Sequence, residues 1–171
     1  MQRGLEPAWE HCERVRSQLL AAVEPVPVDQ WSRHGPASGW TLAQQLDHLL
    51  KSEVGTSKIA RKLIRGDFRD LAHPAEARRF DSGLGVYPFP PSEAPAALVP
   101  APSVGKDVLL SELASAHQRF QQELSRFEGE DADALQSPDV SGFWFTLAGW
   151  VRVQALHEAH HLLQIERMLK P

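Results

Sequence analysis

The chain has 171 residues, 42% hydrophobic and 23% charged, proportions that suit one ordinary globular domain spanning 1–171. Net charge is −4 with lysine and arginine scattered, so no basic stripe invites nucleic acid or an anionic membrane as the main partner. Cys12 is the single cysteine, which excludes an internal disulfide, and no apolar run reaches the ~18 residues of a membrane span or forms a signal-peptide core, so a cytoplasmic protein is expected.

Leu5, Trp9, Cys12, Val15, Leu19, Leu20 and Val23 recur at helical spacing until Pro25 and Pro27 stop them, which predicts a first helix. Two prolines and two glycines make Val26 to Gly39 a loop. Thr41 followed by Gln44 reads as a capping box opening a second helix, which carries Leu42, Leu46, Leu49, Leu50, Val54, Ile59 and Leu63 and ends near Gly66. The stretch from Asp67 to Gly105 is irregular and holds seven prolines. A connection of that length within one domain is uncommon, and is often functional or a crossover. Phe80, Tyr87 and Phe89 are its candidate anchors to the rest of the molecule. A third helix is predicted from Lys106 to Phe127, and a fourth from about Thr146 to Leu169. No internal repeat and no strand alternation is legible. The expected class is all-α, a four-helix bundle with a long crossover between helices 2 and 3. Such a crossover lets those two helices run parallel, so that helices 2 and 4 run antiparallel.

The chain carries eight histidines, and spacing gives geometry to few of them. His157 and His161 stand four apart on the fourth helix and so share one face, where both can grip a metal ion. Trp150 and Met168 fall on that same face, which should turn inward. His160 lies to its side, a flank position. The best third ligand is His48. It sits ~10 Å into the second helix, while His161 sits ~12 Å from the end of the fourth, and antiparallel packing brings these levels together. Thr41, Gln45 and Ser52 share its face, which is small and polar like a pocket wall, although the leucine stripe lies elsewhere. The bland alternative is a solvated surface histidine. His117, between Leu113 and Phe120, is the rival, and a buried hydrogen-bonded imidazole is its plainer reading. His11, His34 and His73 receive no role.

His157-Glu158-Ala159-His160-His161 also spells H-E-x-x-H, the zinc-protease signature. The extended form needs a glycine and a third histidine where Gln164 and Arg167 stand. Glu166 is the sole carboxylate between Leu162 and Pro171 and faces away from His161. Glu158 therefore loses the role of general base, and the protease is the least favoured reading.

A histidine early in helix 2, a long crossover, and then H-x-x-H-H-x-x-Q-I on the last helix resembles the DinB/YfiT-like superfamily of metalloenzymes. The segments that carry this are Leu42-Ala43-Gln44-Gln45-Leu46-Asp47-His48-Leu49 and His157-Glu158-Ala159-His160-His161-Leu162-Leu163-Gln164-Ile165. The resemblance covers nearly the whole chain. It implies a four-helix bundle holding a divalent metal through His48, His157 and His161. Homodimers are frequent in that family, and its characterised members include bacillithiol S-transferases and a mycothiol-dependent isomerase.

Three imidazoles with an open position form a catalytic rather than a structural set for zinc, and they suit nickel or iron as well. The open position can activate a low-molecular-weight thiol for attack on an electrophile, or a water for hydrolysis. The expected function is a metal-dependent enzyme acting on a small-molecule substrate, a thiol S-transferase first and a hydrolase second. The alternative is a non-catalytic metal sensor or binding module. Gln154, Gln164 and Glu158 are candidates to support the ligand imidazoles, and Trp144, Trp150 and Tyr87 could shape the pocket mouth.

Overall fold

The computed structural model describes residues 4–35, 39–71, 78–79, 87, 94–101, 103–129, 131–139 and 143–170. Each long helix starts where its local chemistry dictates. Helix α1 (Glu6–Val23) has Pro7 in its first turn, where a missing N–H costs nothing. Helix α2 (Leu42–Arg65) opens on the expected box: the Gln44 N–H donates to the Thr41 hydroxyl at 3.2 Å, and the Thr41 N–H donates to the Gln44 side chain at 3.0 Å. It closes at Gly66, whose φ of 81° is left-handed and suits glycine. Helix α3 spans Lys106–Ser125. Helix α4 (Leu147–Leu169) begins at Thr146, whose hydroxyl accepts the Gly149 N–H at 2.9 Å.

Two buried apolar clusters fix the helix directions. One joins Trp9 and Cys12 of α1, Ala60 and Leu63 of α2, Phe120 and Leu124 of α3, and Leu147 and Val151 of α4. The other joins Leu19 and Val23, Leu42 and Leu46, Leu109 and Leu113, and Ile165 and Met168. Helices α1 and α4 therefore run one way, and α2 and α3 the other. The parallel α2–α3 pair is what the long crossover makes room for. The expected four-helix bundle, all-α in class, is the observed one.

Short 3-10 turns at Val28–Ser32 and Ala96–Leu98 and a small sheet were not expected. Arg78–Arg79 (β1), Gln136–Pro138 (β2) and Phe143–Thr146 (β3) form a small sheet in the order β1-β3-β2. Strand β1 pairs parallel to β3, and β2 pairs antiparallel to it. Strands this short show no legible alternation, and their partners are distant in sequence. Because β1 belongs to the crossover and β3 leads into α4, the pairing ties the crossover to the last helix. Among the described residues no helix is long and apolar enough to cross a membrane.

Between the two apolar clusters lies a buried polar layer: Arg16, Glu53, Thr56, Gln154, Glu158 and the histidines His48, His157 and His161. The candidate site is in that layer.

Candidate metal centre

Helix α2 buries two faces. Its leucines enter the apolar core, while His48 and Thr56 turn a polar face toward α4. The small polar face around His48 is thus a helix seam rather than solvent-facing surface, and His48 is only 5% exposed. Antiparallel to it, α4 supplies Gln154, His157 and His161, all buried.

The three imidazoles meet at their Nε2 atoms. His157 Nε2 is 3.1 Å from His48 Nε2 and 3.2 Å from His161 Nε2, and one ligand atom from each residue lies within 4.8 Å of the others. Nitrogens bound ~2.1 Å from one ion, at right to tetrahedral angles, stand about 3.0–3.4 Å apart, so the two spacings from His157 fit a shared ion. Two of the rings are pre-set for that task. His48 Nδ1 donates to the Leu98 carbonyl at 2.8 Å, which leaves its Nε2 with a lone pair. His157 Nδ1 faces the Ser52 hydroxyl at 3.1 Å. His161 Nδ1 is buried and has no hydrogen-bond partner among the described residues.

Burial also keeps the rings neutral. Desolvation lowers the pKa of His48. It lowers His157 well below the usual imidazole range, with help from the neighbouring histidines. It lowers His161 to about 3, with His48 and His160 adding to the effect. Neutral imidazoles are what a metal ion needs, since a protonated ring has no lone pair to give.

The crossover contributes to this site directly. Besides the Leu98 carbonyl, the Ala101 N–H donates to Asp47 at 2.6 Å, and Lys51 bonds both Asp47 and the Val99 carbonyl at 2.8 Å. The ring of Tyr87 stacks on His157 with centroids 4.9 Å apart and on His160 at 5.6 Å. Burial, then the Asp139 charge, pushes its hydroxyl pKa up to about 12. Trp40 lies 5.0 Å from the His48 ring. Phe80 and Phe89 lie outside the described residues. Trp144 is buried, and Trp150 is core, packed on Phe145 with its indole N–H on the Ser137 hydroxyl at 2.9 Å.

The other sequence candidates separate from the triad. Glu158 is fully buried, and both its oxygens are held by Arg16, Nε at 2.6 Å and a terminal nitrogen at 3.0 Å. Burial raises its carboxyl pKa, and Arg16 opposes that shift. Burial alone would lower the pKa of Arg16, but Glu158 and Glu53 raise it above its ordinary value. The rival ligand His117 is likewise spent: its Nδ1 is 2.6 Å from Glu53, and its ring stacks on Trp9 at 4.7 Å. Exposed His160 accepts from the Gln164 amide at 2.9 Å, so Gln164 serves that ring. His34 Nδ1 donates to the Gly39 carbonyl at 2.7 Å, and His73 lies outside the described residues.

Sequence reasoning overlooked Arg16 and Glu53. A signal existed: Arg16 continues the Cys12–Leu19–Val23 stripe, and Glu53 continues Leu46–Leu49–Ala60–Leu63. Charges on buried stripes must find partners, and here each is the other's.

Fold and site together define a class: a four-helix bundle with three histidines converging between its second and fourth helices, under a long crossover. The family model of the DinB superfamily matches residues 11–165, and the chain belongs to that superfamily. A solved structure described as TT2238, a four-helix bundle protein, aligns with a TM-score of 0.64 at 19% identity, covering 95% of this chain and 97% of the other. At that identity the likeness speaks for the fold alone. No curated protein matches the chain.

Proposed function

We propose that this protein is a metal-dependent thiol S-transferase in which His48, His157 and His161 hold one divalent ion (zinc, nickel or iron). The observation that carries the reading is the convergence of three buried imidazoles, with His157 Nε2 at ion-sharing distance from the Nε2 atoms of both His48 and His161. An ion with three neutral ligands keeps its charge and an open position, where it supplies Lewis acidity to a thiol or a water.

The chain's own residues do the rest. The Leu98 carbonyl and Ser52 hold two rings turned inward. Tyr87 and Trp40 lay ring faces against the triad, which suits excluding water and packing an apolar substrate group. The acidic groups adjacent in sequence to His157 and His48 are committed elsewhere, Glu158 to Arg16 and Asp47 to Ala101 and Lys51. That favours thiol transfer over hydrolysis by a water that needs a carboxylate base. In the transfer one S–C bond forms: with a chloroarene the chloride departs with its electron pair and the thiol proton goes to solvent, whereas an epoxide breaks its C–O bond or an enone its C=C π bond, and the product oxygen or carbon takes up a proton in place of the one the thiol released. We extend the reading to a cytoplasmic homodimer, on the habit of the family and the lone buried Cys12.

The test is a screen of metal-loaded, untagged protein against glutathione, cysteine, bacillithiol and mycothiol, each with a chloroarene, an epoxide and an enone, reading adducts by mass spectrometry. The expected result is thioether formation with at least one pair, lost in His157→Ala. Metal uptake with no adduct from any pair would overturn the transferase reading in favour of a metal sensor or binding module.

A further inference from the structure

We propose that Gln154, acting through Ser52, is the positioning residue that keeps the His157 proton on Nδ1 and its Nε2 lone pair free. The inference rests on the metal-centre reading and adds what sets the ligand's tautomer. Ser52 Oγ is 3.1 Å from His157 Nδ1 and donates to Gln154 Oε1 at 3.2 Å. Thr56 Oγ1 donates to the same oxygen, also at 3.2 Å. A hydroxyl has one proton. Having given it to the amide, Ser52 can only accept from the imidazole, so Nδ1 must carry the hydrogen. Gln154 is 1% exposed, both hydroxyls meet its Oε1, and its Nε2 has no hydrogen-bond partner among the described residues.

Reversing the amide would reverse the whole relay. The Gln154 NH2 would donate to Ser52, Ser52 would donate to Nδ1, and Nε2 would carry a hydrogen aimed at His48 and His161. The orientation of one buried amide thus separates a ligand from a non-ligand. The triad is also unequal. His48 is fixed by Leu98 and His157 by the relay, while His161 Nδ1 has no partner among the described residues. In the metal-free protein three lone pairs cannot all face one another at these distances, so His161 carries the hydrogen on Nε2 and donates it to His157. His161 alone changes tautomer when an ion enters.

Long-range nitrogen–proton NMR spectra of the metal-free protein read each tautomer, with zinc titration beside them. Wild type should show Nδ1–H at His48 and His157 and Nε2–H at His161. Ser52→Ala and Gln154→Leu should each move His157 toward Nε2–H and weaken zinc binding about 10–100-fold. Gln154→Glu, which keeps acceptor oxygens, should hold the wild-type tautomer. Nε2–H at His157 in wild type, or an unchanged tautomer in both Ser52→Ala and Gln154→Leu, would overturn the proposal. A change in Gln154→Glu equal to that in Gln154→Leu would assign the effect to packing and overturn it too. Ser52→Ala is small enough to guard against misfolding of the leucine variant. Because the tautomer is read without metal, a protein that took up no zinc would sink the metal reading while leaving the relay to be judged by its own signal.

Discussion

His157 and Glu158 are neighbours in sequence yet belong to two different buried polar regions. Glu158 joins Arg16, Glu53 and His117, a charged cluster in which most polar atoms have partners. Arg16 spends three nitrogens on Glu158, Glu53 and the Leu113 carbonyl. His157 joins His48 and His161, a cluster kept neutral by burial in which three Nε2 atoms converge. In the first region the charges of Arg16, Glu53 and Glu158 are paired with one another, and His117 Nε2 alone lacks a hydrogen bond among the described residues. The second is a group of three histidines that could hold a cation. Buried polar groups are normally paired, so a convergent unsatisfied set marks a site, whereas a satisfied one marks structure.

The contrast yields opposite responses to substitution. The largest expected effect is at Arg16. Arg16→Met leaves two carboxylates buried without a counter-charge and should cost ~3–5 kcal/mol of stability, measured by urea unfolding of the metal-free protein. A loss below about 1 kcal/mol would mean that the cluster is not the structural half of the comparison. Glu158→Gln keeps the shape but removes one charge, and should cost ~1–3 kcal/mol while leaving zinc affinity close to wild type. A collapse of zinc affinity in that variant would return Glu158 to the site.

The pH response should separate the regions as well. The triad pKa values are lowered in the folded protein, to about 3 for His161. The unfolded chain binds protons at these positions from about pH 6.5 downward, before the folded chain does. The stability of the metal-free protein is therefore full above that pH and falls as pH drops below it. Melting temperatures from pH 7.5 to 5 should show that slope, reduced in His161→Leu. A protein equally stable at pH 5 and 7.5 would contradict neutral burial of the triad. The smallest effect should be His161→Leu itself at pH 7.5: the metal-free protein should be no less stable than wild type by more than about 1 kcal/mol, because the imidazole it loses has an unpaired buried nitrogen.

Much of this was legible in sequence because it rests on local rules. Thr41 and Gln44 announce α2, Gly66 ends it, and the i, i+4 spacing of His157 and His161 needs only a helix to share a face. His48 could be matched in depth because a long crossover makes α2 and α4 antiparallel. What escaped were facts that depend on other parts of the chain. Strand β1 exists only because Phe143 and Trp144 lie beside Arg78 and Arg79. The Leu98 carbonyl that orients His48 is a backbone group, which no side-chain pattern reveals. Ser52 was visible as part of a polar face, but its link to Gln154 arises only when α2 and α4 pack.

The central claim is that His48, His157 and His161 together bind one divalent ion. Zinc titration of untagged protein by calorimetry, with elemental analysis of the purified sample, tests it most directly. The account predicts one equivalent bound by wild type and none by His48→Ala, with Glu158→Gln binding like wild type. No binding by wild type, or undiminished binding by His48→Ala, would contradict it.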